Sequence, residues 1–152
     1  MMNKKLFLIS ALLFSFNAFS IEISEETAIA KLEEFFYLLD VDRYERDAFS
    51  KVVTKDFQIF EDGLNLDRDS FHDFVTEATG AIVETEWTLT DFKVTLNTDS
   101  SHISYYNYGL FKTNKNESIK SFWMESVYMI LEDGELRIKF LQSDLRCQML
   151  FH

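Results

Sequence analysis

The chain has 152 residues and carries 15 basic against 26 acidic side chains, which gives a net charge of -11. So acidic a chain repels a phosphate backbone and anionic lipid, and this disfavours nucleic-acid binding. A single cysteine excludes an internal disulfide, so the fold must rest on its apolar core, and aromatic residues make up 16% of the chain.

The first twenty residues have the order of a secretory signal. Lys4 and Lys5 precede an apolar run over 6–16, and the small residues Ala18 and Ser20 stand just before Ile21. The apolar run is about half of the ~20 residues that a helix needs to cross a bilayer. We therefore predict that 1–20 is a cleaved signal peptide and that 21–152 forms one domain without a membrane span. We expect the protein to be exported to the bacterial periplasm.

Three helices are predicted in the first part of the domain. Ser24 can cap a helix whose apolar residues recur at helical spacing up to Leu39. A segment similar to a capping box, 42–45, predicts a second and shorter helix. Asp69 can cap a third helix, which Gly80 ends.

Strands are predicted after these helices and between them. The period changes to two over 56–61, and Asp62-Gly63 then provides turn chemistry, which indicates a short strand. Four longer strands are expected at 82–96, 101–113, 118–131 and 135–146. Asp133-Gly134 between two alternating runs is a clear hairpin signal. Helices followed by a meander of strands indicate an α+β fold, in which a strongly curved antiparallel sheet is wrapped on the N-terminal helices.

This order of elements resembles the nuclear-transport-factor-2-like superfamily, whose members include SnoaL-like and exported proteins with a cystatin-like roll. The segments that carry the resemblance are Thr54-Lys55-Asp56-Phe57, Trp123-Met124-Glu125-Ser126 and Asp133-Gly134-Glu135-Leu136-Arg137-Ile138. The resemblance implies a cone with an apolar pocket at one end. It supports the fold more than a function, because none of these segments is a catalytic signature.

Three carboxylates are candidates for catalysis. If the strand face that carries Trp123 is the concave one, Glu125 lies in an apolar lining, where its pKa is raised and it can act as acid or base. The alternative is a Glu at the sheet edge, or one paired with Arg137 or Lys139 on the neighbouring strand. Related enzymes such as ketosteroid isomerase carry a base near the end of the short first strand, and the resemblance therefore points to Glu61 or Asp62. Acid-glycine is also ordinary turn chemistry.

Aromatic side chains favour a binding pocket. The candidate ligand-binding residues are Trp87, Tyr106, Trp123, Tyr128 and Gln142. Gln142 stands where the resemblance places a histidine in many exported members, and glutamine can orient a ligand but cannot transfer protons near neutral pH. His72 is expected to face solvent. The sequence contains no convincing metal-ligand spacing or phosphate loop, and we predict no metal and no cofactor.

Three functions remain open from the sequence. The first is a non-catalytic module that binds a small apolar or amphipathic molecule. The second is an enzyme of isomerase, dehydratase or hydrolase type that uses Glu61, Asp62 or Glu125 as base and a tyrosine as hydrogen-bond donor. The third is protein interaction, through a homodimer of the sheet or as a periplasmic immunity protein or inhibitor. A cavity above a few hundred Å³ would favour the first two over the third.

Overall fold

The computed structural model describes residues 22–151. Its elements, in chain order, are α1 (Glu25–Leu38), α2 (Arg46–Val52), β1 (Val53–Glu61), β2 (Leu64–Asp67), α3 (Arg68–Thr79), β3 (Ile82–Leu96), β4 (Ser100–Thr113), β5 (Ser118–Glu132) and β6 (Glu135–Phe151). The predicted signal segment 1–20 lies outside the described residues, so export stays a prediction. Within 22–151, no helix has the length and apolar character required to span a membrane.

The six strands form one curved sheet in the order β2-β1-β6-β5-β4-β3, and the predicted α+β class is confirmed. The pairs along β3 to β6 are antiparallel, as expected from a meander. In contrast, β1 pairs with β6 in parallel, so the sheet is mixed. A parallel pair requires a long connection, which here is the whole of β2, α3 and the meander. No local pattern in the sequence marks such a pair.

A short strand that was not predicted follows the Asp62-Gly63 turn. Both turn residues have positive φ, 47° and 84°, which is the backbone of a tight hairpin turn. The turn brings β2 back antiparallel to β1. Asp67 at the end of β2 then caps α3 by accepting from the Ser70 amide at 2.8 Å. The cap is therefore Asp67 rather than Asp69, because the strand runs on to it.

The first helix begins as predicted. Ser24 and Thr27 form a reciprocal capping box, in which the Thr27 amide donates to Ser24 Oγ at 3.1 Å. The second helix begins later than predicted, after Glu45, and Glu45 makes no capping hydrogen bond through its side chain. Both helices turn phenylalanines toward the sheet.

The core between the helices and the sheet is aromatic. Phe35 of α1 contacts Phe49 of α2, Phe57 of β1 and Phe71 of α3, with ring centroids 5.1 to 6.4 Å apart. Full burial of one such side chain stabilises a fold by about 1.5–3 kcal/mol. These contacts hold α1 and α3 against the inner face of the sheet, which is the face that carries the site.

His72 is buried at 2% exposure, so the expectation of a solvent-facing histidine was wrong. Its ring lies against Phe49, and its two nitrogens hydrogen-bond to the Tyr44 hydroxyl and, at 3.3 Å, to Ser50 Oγ. Burial lowers the pKa of His72. The residue therefore acts as a polar part of the core between α2 and α3.

Candidate functional site

A cavity of about 320 Å³ lies between the helices and the inner face of the sheet. Most of its wall is apolar, and aromatic rings from α1, α3, β3, β4 and β5 supply much of it: Phe35, Phe36, Phe71, Phe74, Trp87, Phe111 and Trp123. Polar groups enter at a few positions, mainly Glu61, Asp62, Asn107, Glu125 and Ser143. This mixture is typical of a pocket that encloses an apolar body and fixes one polar end.

Four side chains form a row across the inner face of the sheet, which we call the polar row: Glu61, Ser143, Glu125 and Tyr105. Strand register sets the row, because Ser143 of β6 is the partner of both Glu61 on β1 and Glu125 on β5. Glu125 is in turn the partner of Tyr105 on β4. Neighbouring strands lie about 4.8 Å apart, so each member is within reach of the next.

Glu125 is buried at 7% exposure, on the same face as Trp123. Its carboxylate accepts hydrogen bonds from Ser143 Oγ at 2.9 Å and from Asn107 Nδ2 at 3.3 Å. Burial raises the pKa of Glu125 to about 7, although hydrogen bonds with Tyr105, Ser143 and Asn107 oppose the rise. Glu125 is thus a carboxylate that can gain or lose a proton near neutral pH.

The alternative pairing of Glu125 with a basic residue of β6 does not occur. Arg137 instead pairs with Glu132 at 3.1 Å and with Glu135 at 2.9 Å. Lys139 pairs with Asp56 at 2.5 Å. Both basic side chains are therefore engaged elsewhere.

Glu61 is the second carboxylate of the polar row. Burial raises the pKa of Glu61 to about 7, the negative charges of Glu125 and Asp62 add to the rise, and the nearby Ser143 hydroxyl and Trp123 indole N–H oppose it. Because Glu61 and Glu125 flank the same serine, the first to lose its proton makes the second harder to ionise. We infer that the two titrate as a coupled pair.

Two buried polar atoms around the polar row have no hydrogen-bond partner among residues 22–151. They are Asn107 Oδ1 and Trp87 Nε1, whereas the Tyr105 hydroxyl and the Trp123 indole N–H interact with Glu125 and Glu61. Asn107 and Trp87 line the cavity. Buried polar groups normally have partners, so these atoms can serve a bound molecule.

The structure brings five of the predicted site residues together. Trp87, Trp123, Glu61, Asp62 and Glu125 all line the cavity. Asp62 stands at its edge, where its carboxylate accepts from the Leu145 amide at 3.3 Å.

The other three predicted ligand-binding residues lie on the outer face. Tyr106 and Tyr128 are each 37% exposed, and Gln142 is exposed between the buried Leu141 and Ser143. Side chains alternate along a strand, so residues next to Tyr105, Val127 or Ser143 must point away from the cavity. Tyr106 and Gln142 line a depression on the outer face instead. Their predicted role assumed that they face the cone.

Sequence reasoning missed Asn107 and Ser143, and it did not select Tyr105 from among the strand aromatic residues as a site residue. A signal for them was present, because they share the alternation phase of Trp123 and Glu125 on paired strands. Gly109 is a fourth case: a Cβ built there would lie 2.8 Å from the Phe111 ring and 2.9 Å from the Trp123 ring. Glycine is therefore needed for both rings to lie over β4.

No protein-family model and no curated protein matches the chain. Solved structures do match it. A proposed aromatic ring hydroxylase from Novosphingobium aromaticivorans has a TM-score of 0.74 at 15% identity and covers 83% of this chain and 92% of its own. A type 2 hexachlorocyclohexane dehydrochlorinase has a TM-score of 0.69 at 12% identity, over 82% and 89%. The association domain of C. elegans CaMKII has a TM-score of 0.63 at 12% identity, over 78% and 93%.

These likenesses confirm the fold that the sequence resemblance implied. The chain has the nuclear-transport-factor-2-like fold, in which a curved sheet and its helices enclose a pocket. At such identities the likeness carries no activity over to this chain. The function has to be argued from the cavity and the polar row.

Proposed function

We propose that the protein binds a small, largely apolar molecule in the inner cavity, with the polar end of that molecule against the polar row. The observation that carries the proposal is the cavity itself, whose volume of about 320 Å³ reaches the range of roughly 300–1,000 Å³ for small-molecule sites. Rigid aromatic walls supply contact area at little cost in conformational entropy. The unpartnered atoms Asn107 Oδ1 and Trp87 Nε1 can hydrogen-bond to the ligand and fix its orientation.

Titration with the neutral fluorophore N-phenylnaphthylamine tests this proposal. Trp87 and Trp123 are the two tryptophans of the chain and both line the cavity, so energy transfer from them reports occupancy. We expect saturable binding with a Kd of about 1–10 μM, as an apolar contact of this size allows. Trp123→Ala should weaken binding at least about tenfold by removing part of the wall.

Tyr106→Ala is the matched control, because it removes an aromatic ring from the outer face. Its affinity should equal that of the unaltered protein. Unsaturable binding, or an equal loss of affinity in both variants, would show that the inner cavity is not the site.

A second candidate function is proton transfer. The observation that favours it is Glu125, a buried carboxylate in the lining of the cavity with a pKa raised to about 7. A carboxylate with such a pKa can remove a proton from a bound substrate near neutral pH. One of the similar structures is named a dehydrochlorinase, which is consistent with elimination chemistry in this fold.

Nitrobenzisoxazole is a direct probe of such a base. A carboxylate removes the proton from the ring carbon, that electron pair forms the nitrile, and the nitrogen-oxygen bond breaks to release a coloured phenolate. We expect turnover that rises with pH through about 7 and falls about 100-fold in Glu125→Gln. Glu33→Gln, an exposed change on α1, should keep the full rate. A rate no higher than that of free carboxylate in buffer would rule this function out.

The third function from the sequence, protein interaction, has less support, because the cavity favours the two pocket functions over it. The outer face does expose apolar side chains, among them Tyr106, Tyr108, Met124 and Tyr128. The similarity to an association domain is consistent with assembly of copies. A homodimer through the sheet stays a prediction, and light scattering coupled to size-exclusion chromatography would test it.

A further inference from the structure

The charges around the cavity are all of one sign among the described residues. Glu61, Asp62 and Glu125 line it, and the described lining contains no lysine, arginine or histidine. The field inside an apolar cavity is weakly screened, so these carboxylates act strongly on any charged group that enters. An anionic ligand would meet repulsion without a counter-charge.

Neither Glu61 nor Glu125 has a basic partner within residues 22–151. The eight ion pairs of this part of the chain engage other carboxylates, such as Asp56 with Lys139. A buried carboxylate without a counter-ion is costly when ionised. A positively charged group in the cavity would supply the missing counter-ion.

Two further features favour a cation. Asn107 is 1% exposed, lines the cavity and has a carbonyl oxygen, Oδ1, without a partner among the described residues. Such an oxygen accepts N–H donors. Trp87 and Trp123 line the same cavity, with ring centroids 6.0 Å apart, and indole is the aromatic ring that attracts cations best.

We propose that the ligand is an amphipathic amine, with an apolar body among the aromatic rings and a protonated amino group that donates to Glu125, Glu61 and Asn107 Oδ1. This inference rests on the proposed binding function and deepens it by naming the class of ligand. Up to three N–H donors of a primary ammonium match the three acceptors. A neutral ligand of the same shape would leave the carboxylates unpaired.

Calorimetric titration with three naphthalene probes tests which ligand charge the cavity prefers. The probes are naphthylmethylamine, naphthylmethanol and naphthoate, all substituted at the same ring position. At about pH 8 the amine is largely protonated. We expect the amine to bind at least about tenfold more tightly than the alcohol, because its hydrogen bonds are charge-assisted. Naphthoate should bind most weakly.

Glutamine variants remove the charge of the two carboxylates and keep the shape of the site. Glu61→Gln combined with Glu125→Gln should remove the preference for the amine, so that the affinities for the amine and the alcohol become about equal. Glu33→Gln is the control that removes an exposed carboxylate, and it should keep the preference for the amine.

Each alternative outcome has a separate meaning. Equal affinity for the amine and the alcohol, or tightest binding of naphthoate, would overturn the amine assignment and leave the binding function intact. A lack of binding by all three probes, together with unsaturable binding of N-phenylnaphthylamine, would overturn both.

Discussion

The Glu125→Gln variant should be more stable than the unaltered protein at about pH 8, by on the order of 3 kcal/mol in the free energy of unfolding. Burial raises the pKa of Glu125 from its ordinary 4.5 to about 7, so the folded state holds the proton more tightly than the unfolded state. Its contribution to stability is therefore fully present below about pH 4.5 and is lost as the pH rises to about 7. Glutamine stays neutral throughout and avoids that loss.

Urea unfolding at several pH values measures this effect. The two proteins should differ little at about pH 4, where Glu125 is protonated in both states, and diverge between about pH 4.5 and 7. The glutamine can still accept from Ser143 through Oε1. Its amide can donate to Asn107 Oδ1 once the Asn107 amide turns over, because Asn107 Nδ2 faces this side chain in the unaltered protein. Glu33→Gln should follow the unaltered protein at every pH. A loss of stability in Glu125→Gln at about pH 8 would contradict burial of the charge.

The Gly109→Ala variant should lose both stability and ligand affinity. Its Cβ would stand 2.8 Å from Phe111 and 2.9 Å from Trp123, and both rings line the cavity. The rings must move away from β4, into the space that the ligand needs. Overpacking of this kind costs about 1–3 kcal/mol, and we expect at least about tenfold weaker binding of N-phenylnaphthylamine.

Gly80→Ala is the matched control for that variant. Gly80 ends α3 with φ of -67°, and the nearest atom to an added Cβ is Glu77 O at 3.4 Å. Alanine there should leave binding unchanged and stabilise the fold by about 0.4–1 kcal/mol through the unfolded chain. Thermal unfolding and fluorophore titration of both variants measure the contrast. Equal behaviour of the two would show that the rings can adjust around Gly109 without narrowing the cavity.

Local physical chemistry made most of the fold predictable. Ser24 caps α1 in the structure as its position before an amphipathic run indicates, and β3 spans Ile82–Leu96 as its alternation and flanking turns indicate. Helical periodicity and strand alternation depend on residues close in the chain. The predicted starts of α2 and α3 were wrong. Residues 41–43, where α2 was expected to begin, form a turn instead, and α3 begins directly after β2, so Asp67 is its cap.

The candidate site was predictable only in part. Alternation placed Trp123 and Glu125 on one face of their strand without showing which face is concave. Packing of the aromatic residues of α1 and α3 onto that face decided it, and this turned Tyr106, Tyr128 and Gln142 outward. The prediction that Glu125 is a buried carboxylate with a raised pKa required the face that carries Trp123 to be the concave one. The structure shows that it is, and the pKa of Glu125 is raised to about 7.

The sequence by itself determined the class of fold, the phase of each long strand and the supply of aromatic and acidic side chains. Only the tertiary structure decided that Glu61, Ser143 and Glu125 meet. Glu61 reaches Ser143 through the parallel pairing of β1 with β6, which joins segments far apart in the chain. The position of β6 between β1 and β5 is a property of the whole sheet. Because β6 carries Ser143 and its two neighbours carry Glu61 and Glu125, this position brings both carboxylates next to the same serine.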